Sequence, residues 1–92
     1  MSIRRISVTV SGKVQGVGFR YFTSDCAQSL NLTGWVRNQQ YRQVEIAVQG
    51  ESANIDVFLE NIRRGPQRAR VESVTVADLP VDTAETDFRI VH

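Results

Sequence analysis

The sequence predicts a two-layer α+β fold: two amphipathic helices covering one face of an antiparallel sheet, in the order β-α-β-β-α-β with a short closing strand. Three observations carry this expectation. Apolar residues alternate with polar ones around Ile6, Val8 and Val10 and again around Val44, Ile46 and Val48, the period of a strand packed on one side. Apolar residues recur at helical spacing in two separate stretches, each with a single stripe. Glycine, proline and asparagine stand between the periodic segments, where chain reversals need them.

The first strand is read over Ile6 to Ser11, with Ser7, Thr9 and Ser11 on its polar face and Gly12 ending it. The first helix follows, with Phe19, Phe22, Cys26 and Leu30 on its apolar stripe and Thr23 and Ala27 beside them. It is expected to stop at Asn31, a residue that tolerates the left-handed conformation found just past helix ends. Trp35-Val36-Arg37-Asn38 reads as the second strand and Val44 to Val48 as the third. The polar run Gln39-Gln40-Tyr41-Arg42-Gln43 joins them as a hairpin. Gly50 is read as the stop of the third strand and Ser52 as the N-cap of the second helix. Ile55, Phe58, Leu59 and Ile62 give that helix a narrow core-facing stripe, and Gly65-Pro66 ends it. Arg70 to Val76 reads as a fourth strand in which Val71 is out of phase with Val74 and Val76, which calls for a bulge or an edge position. Asp78 to Glu85 is a polar loop, and Phe88 and Ile90 mark the closing strand. This order is the split βαβ, or ferredoxin-like, arrangement.

Composition bounds the function. Ninety-two residues make one small domain, read over 1–92, of ordinary globular composition. A net charge of +1 provides no field to draw the chain onto nucleic acid or a membrane. The basic run from Ile62 to Arg70 reads as a solvated helix end, where cations suit the dipole. One cysteine, Cys26, cannot form an internal disulfide, which suits a reducing, cytoplasmic compartment. No apolar run approaches membrane-span length. With no apolar repeat or seam, a monomer is expected.

Chemistry concentrates in Gln15-Gly16-Val17-Gly18-Phe19-Arg20, at the junction of the first strand and first helix. The first N–H groups of a helix lack internal partners and carry partial positive charge. A cation such as Arg20 is misplaced there unless an anion sits beside it. Glycines that let the backbone approach closely would then complete a phosphate cradle with a guanidinium clamp. The plainer reading is a tight turn, with glycines serving only the reversal. Phe19-Arg20 stand where a Walker A loop needs Lys-Ser/Thr, and Tyr21 where a Rossmann loop needs its third glycine, so neither motif applies. An RNA-binding sheet would need aromatics on its central strands, but Ser7, Thr9 and Ser11 face that side. Asn38 has two readings, a hairpin-starting residue or an amide able to orient a water. His92, the only histidine, reads as a solvated chain end, and Cys26 as a small core residue. The acidic residues show no metal-ligand spacing.

Gly12-Lys13-Val14-Gln15-Gly16-Val17-Gly18-Phe19-Arg20, followed by Gly34-Trp35-Val36-Arg37-Asn38, resembles the acylphosphatase family. Ala27, Leu32, Gln49-Gly50, Gly65-Pro66, Ala69-Arg70-Val71 and Phe88-Arg89-Ile90 extend the resemblance over nearly the whole chain. The resemblance implies the fold derived above and hydrolysis of carboxyl–phosphate anhydrides to a carboxylate and phosphate. It places the catalytic pair on Arg20 and Asn38 and the phosphate loop on Gln15, Gly16, Val17, Gly18, Phe19 and Arg20. No metal or cofactor is implied, and the partners are a small acyl phosphate and inorganic phosphate, with no nucleic acid and no membrane. Two positions depart from the family's pattern. The hairpin Gln40-Tyr41-Arg42 has no glycine, so that turn must differ, and Asn31 stands where glycine is usual, a conservative change in backbone terms. The competing functions are a phosphate-binding module without turnover and a nucleic-acid-binding domain on the same topology.

Overall fold

The computed structural model describes residues 2–92. The elements run β1 (Ile3–Lys13), α1 (Phe19–Ser29), β2 (Thr33–Gln39), β3 (Gln43–Glu51), α2 (Ser52–Arg64), β4 (Arg70–Leu79) and β5 (Phe88–Ile90). The sheet order is β4-β1-β3-β2-β5. Pairing is antiparallel among the first four strands of that order, as expected, but β5 lies parallel to β2, so the sheet is mixed. The chain reaches β5 by a loop of the β4–β5 segment that crosses the sheet, which is why the last strand enters in the direction of β2.

One face of the sheet is dry. Ile6, Val8 and Val10 from β1, Val36 from β2 and Val44, Ile46 and Val48 from β3 are fully buried. Ile55, Phe58 and Ile62 of α2 and Phe19 and Ala27 of α1 join the same core. Burying a side chain of this size contributes on the order of 2 kcal/mol. On α1 the buried set is rotated from the expected stripe. Thr23 and Ser24 are buried while Phe22, Cys26 and Leu30 are only partly so. Thr23 is accommodated because its hydroxyl donates to the Phe19 carbonyl one turn back, at 2.8 Å. The opposite face carries Ser7, Thr9 and Thr75, together with Trp35 beneath the Arg37 guanidinium, 5.1 Å from the ring centroid. A strap formed by residues 80–87 covers one end of this face. Gln49 donates to the Asp82 carbonyl at 2.9 Å and accepts from its N–H at 2.8 Å, and Thr33 donates to Glu85 at 2.8 Å.

Several boundaries lie beyond the expected ones, each for a cooperative reason. β1 runs past Gly12 to Lys13 because β4 still pairs it there, Gly12 with Val71 and Lys13 with Arg70, after the β3 ladder has ended at Ser11. The predicted irregularity in β4 is present. Ser11 pairs Ser73 and Gly12 pairs Val71, which leaves Glu72 as the extra residue, and β4 is also an edge. β4 continues to Leu79, two residues into the expected loop. β3 continues through Gly50, which pairs Arg4, to Glu51. Glu51 rather than Ser52 is the N-cap of α2, and Ser52 is its first residue, its N–H donating to the Ser2 carbonyl at 2.9 Å. Asn31 takes the left-handed conformation after α1, at φ 56°, and Gly65 ends α2, as expected. The glycine-free hairpin turns through two successive left-handed residues, Tyr41 at φ 61° and Arg42 at φ 60°. Left-handed geometry costs a residue with a Cβ about 1–2 kcal/mol.

Gly34 is required by close approach. It sits at φ 137°, and a Cβ there would lie 1.9 Å from the Ala47 carbonyl oxygen. Gly34→Ala should therefore destabilise the protein by about 3 kcal/mol or more, measured by urea unfolding, because backbone rather than a pliant side chain blocks the space. The Cys26 thiol is pushed above its ordinary value by burial first and by the Asp25 carboxylate second, against the pull of Arg64. The unfolded chain then ionises at lower pH than the folded one, so stability falls as pH rises through and beyond the usual thiol range. Wild-type protein should lose ground to Cys26→Ala as urea midpoints are followed upward from about pH 8.5, and iodoacetamide should alkylate the folded thiol more slowly than a free one.

Candidate active site

Register places the site. In β3, Val44 pairs with Val10 of β1 on one side and Asn38 of β2 on the other. β1 and β2 both run antiparallel to β3, so their C-terminal ends meet at one end of the sheet. Asn38 shares its side of β2 with Gly34 and Val36, the face that carries the helices. It stands beyond the buried part of that face and is exposed. The chain leaving β1 passes the buried Val14, runs through residues 15–18 and enters α1 beside it.

The loop is built to present main-chain amides. Gly16 at φ 73° and Gly18 at φ 77° are both left-handed, and a Cβ on either would meet nothing within 4 Å. Glycine is needed here for the dihedral angle, and the space in front of the loop is open. Gly18 is the N-cap of α1 and supplies no side-chain cap. The first helical hydrogen bond runs from the Phe22 N–H to the Gly18 carbonyl at 3.0 Å, so the N–H groups of Phe19, Arg20 and Tyr21 precede the ladder. No acidic residue occupies the first turn to offset the dipole. Arg20 adds positive charge where positive potential already gathers, which favours a bound anion.

A cleft of about 220 Å³ is lined by Val14, Gly16, Gly18, Phe19, Arg20, Tyr21 and Asn38. The structure thus brings together Arg20, Asn38 and both loop glycines. Val17 is half-buried and packs against the core, and Phe19 is buried, so these two contribute backbone rather than side chain. Gln15 belongs to the loop, but its side chain turns to the hairpin, where Nε2 donates to the carbonyls of Gln39 at 2.6 Å and Gln43 at 2.9 Å. Size alone does not select this cleft. A hollow of about 260 Å³ beside β5 is lined by Asp82, Glu85 and Asp87, and its Arg89 is already paired to Asp87 at 3.1 Å. Among the described residues, no three His, Cys, Asp or Glu side chains cluster as a metal site would require.

Two residues lie where sequence reasoning did not put them. Tyr21 had no place at the site in the sequence reading, but it is 69% exposed and forms a wall of the cleft. Its i+2 spacing from the buried Phe19 is the overlooked clue, since that step crosses to the opposite side of a helix. His92 is exposed, as read for a solvated end, yet its ring meets the Arg20 side chain. The Arg20 Nη1 donates to its Nδ1 at 3.2 Å, which requires the neutral ring with its proton on Nε2. No local pattern in the sequence reports a contact spanning 72 positions.

Comparison with known proteins matches the chain over nearly its whole length. A family model described as Acylphosphatase matches residues 6–90. A curated protein from Oceanobacillus iheyensis named Acylphosphatase is 46% identical, over 96% of this chain and 98% of that one. One of the same name from Marinobacter nauticus is 45% identical over the full length of both. The crystal structure of acylphosphatase from Bacillus subtilis superposes with a TM-score of 0.92 at 32% identity, covering 99% of this chain and 100% of that one.

Gly18→Ala separates the loop's two demands. Stability should fall by only about 1–2 kcal/mol, the left-handed cost, because the new methyl meets open space. Competitive inhibition by inorganic phosphate should weaken markedly, because the same methyl stands in front of the amides.

Proposed function

The chain belongs to the acylphosphatase family, and on that footing we propose that Arg20, the amides of the 15–20 loop and Asn38 carry out its reaction. The reaction is hydrolysis of the carboxyl–phosphate bond of an acyl phosphate to a carboxylate and inorganic phosphate. The observation that carries the assignment of residues is the single cleft that holds Arg20, Gly16, Gly18 and Asn38 together.

An acyl phosphate brings its own good leaving group, a carboxylate, so the protein needs little acid–base chemistry. Phosphoryl transfer then calls chiefly for positioning and for stabilisation of charge on the phosphoryl oxygens. The loop amides and the Arg20 fork hold those oxygens. Asn38, able to donate and accept at once, aligns a water on the side opposite the carboxylate. The water oxygen bonds to phosphorus as the phosphorus–carboxylate oxygen bond breaks, and the bonding pair leaves with the carboxylate. The water's proton passes to a phosphoryl oxygen of the substrate. The charge that a metal would neutralise falls to Arg20 and the loop amides, so the proposed reaction is metal-independent. Exposed Tyr21 contributes an apolar surface against which the acyl part can lie.

The same reading makes residues 1–92 one domain and the protein a cytoplasmic monomer. One thiol suits a reducing compartment. The sheet edges are poor templates for pairing, since β4 carries the Glu72 bulge and β5 has only three residues. A near-neutral charge and a hydroxyl-bearing open face favour a small-molecule partner over nucleic acid or a membrane.

Hydrolysis of benzoyl phosphate tests the assignment. Arg20→Ala should lose both phosphate binding and turnover, by about a hundredfold or more in rate, and Arg20→Lys should fail too because a point charge cannot replace the fork. Asn38→Ala should bind phosphate normally and lose turnover. Activity should be unaffected by a chelator. Wild-type turnover by Arg20→Ala would overturn the assignment.

A further inference from the structure

Gln15 lies in the phosphate loop by sequence, yet its side chain is spent elsewhere. An amide nitrogen carries two protons, and Nε2 of Gln15 donates to two main-chain carbonyls, Gln39 at 2.6 Å and Gln43 at 2.9 Å. What remains is Oε1, an acceptor, which offers nothing to phosphoryl oxygens that are acceptors themselves. The side chain is therefore not a phosphate ligand.

The position of its two partners gives it another role. Gln39 and Gln43 are the last rung of the β2–β3 ladder, and the Asn38↔Val44 rung lies next to it. Beyond that rung the chain turns through Tyr41 and Arg42, both left-handed and neither glycine. A rung that closes such a turn has reason to fray, and fraying would swing Asn38. Gln15 holds both of its strands from the outside with one amide. The other end of the Gln15 side chain is rooted in the loop that lines the cleft together with Arg20.

We propose that Gln15 is a positioning residue that fixes Asn38 relative to the phosphate loop, by tying the end of the hairpin to that loop. This rests on Asn38 being the water-orienting group. The distance between the held phosphoryl group and the held water is then set by a cross-link within the protein. A glycine-free hairpin is tolerated because its end is clamped from outside.

The test uses full-length protein, benzoyl phosphate as substrate and inorganic phosphate as probe. Gln15→Met keeps length and removes both donors. It should lower kcat about tenfold and leave the phosphate inhibition constant within about twofold. In an Asn38→Ala background it should add less than about twofold, because the group it positions is already gone. In the wild-type protein, a phosphate titration followed by NMR should shift the main-chain amides of 16–20 and leave the Gln15 side-chain amide protons in place. The proposal is overturned if the phosphate inhibition constant rises in step with the loss of kcat. It is equally overturned if the two substitutions multiply, or if the Gln15 side-chain protons follow the phosphate titration. An Asn38→Ala protein that turns over normally would instead remove the underlying role of Asn38, a result distinct from any of these.

Discussion

The structure depends on register across β3. Val44 is aligned with Val10 on one flank and Asn38 on the other. Side chains alternate between faces along a strand, so a slip of one residue in either ladder would expose half the core. In the β2–β3 ladder it would also turn Asn38 away from the helix side and bring Arg37 or Gln39 in its place. The valines and isoleucines that make the sheet stable are thus the same residues that aim the asparagine. The interlock continues outside the core, where Arg37, on the other face, pairs with Glu45 at 2.7 Å, one position along the same ladder. Core packing and the placement of the proposed water-orienting group are here two results of one alignment.

The helices were legible because their stripes and their stops agree. Asn31, one residue beyond the Leu30 cap of α1, and Gly65, the cap of α2, both take positive φ, and each follows the last apolar residue of its helix. Strand ends were less legible, and for one reason. Gly12 and Gly50 carry the local mark of a stop, but a strand with partners continues while hydrogen bonds are on offer. Leu32 packs over Gly50, where a Cβ would lie 2.3 Å from the Leu32 Cδ2. The parallel entry of β5 has no local mark at all, since direction is decided by the path of the strap before it.

The site divides along the same line. The loop was visible because it breaks local rules: glycines where a helix begins, and a cation at the positive end of a dipole. Asn38 was visible only as an ambiguity; register places it at the cleft, beside the loop. His92 on Arg20 and Gln15 on the hairpin were invisible, because each joins segments far apart in sequence through one side chain. Sequence patterning reports periodicity and local geometry. It does not report which of several polar side chains turns inward across a boundary between elements.

The central place of β1 has a consequence for how the molecule comes into being. The first strand made is the one that must be flanked on both sides, and its outer partner ends with Leu79 opposite Arg5. As the chain emerges from the ribosome, β1 waits with an unsatisfied edge until nearly all of the remaining sequence has appeared. Such distant pairing makes folding slow for the chain's size. It concentrates the danger of intermolecular association in that interval, and that danger ends only when β4 arrives to close the sheet.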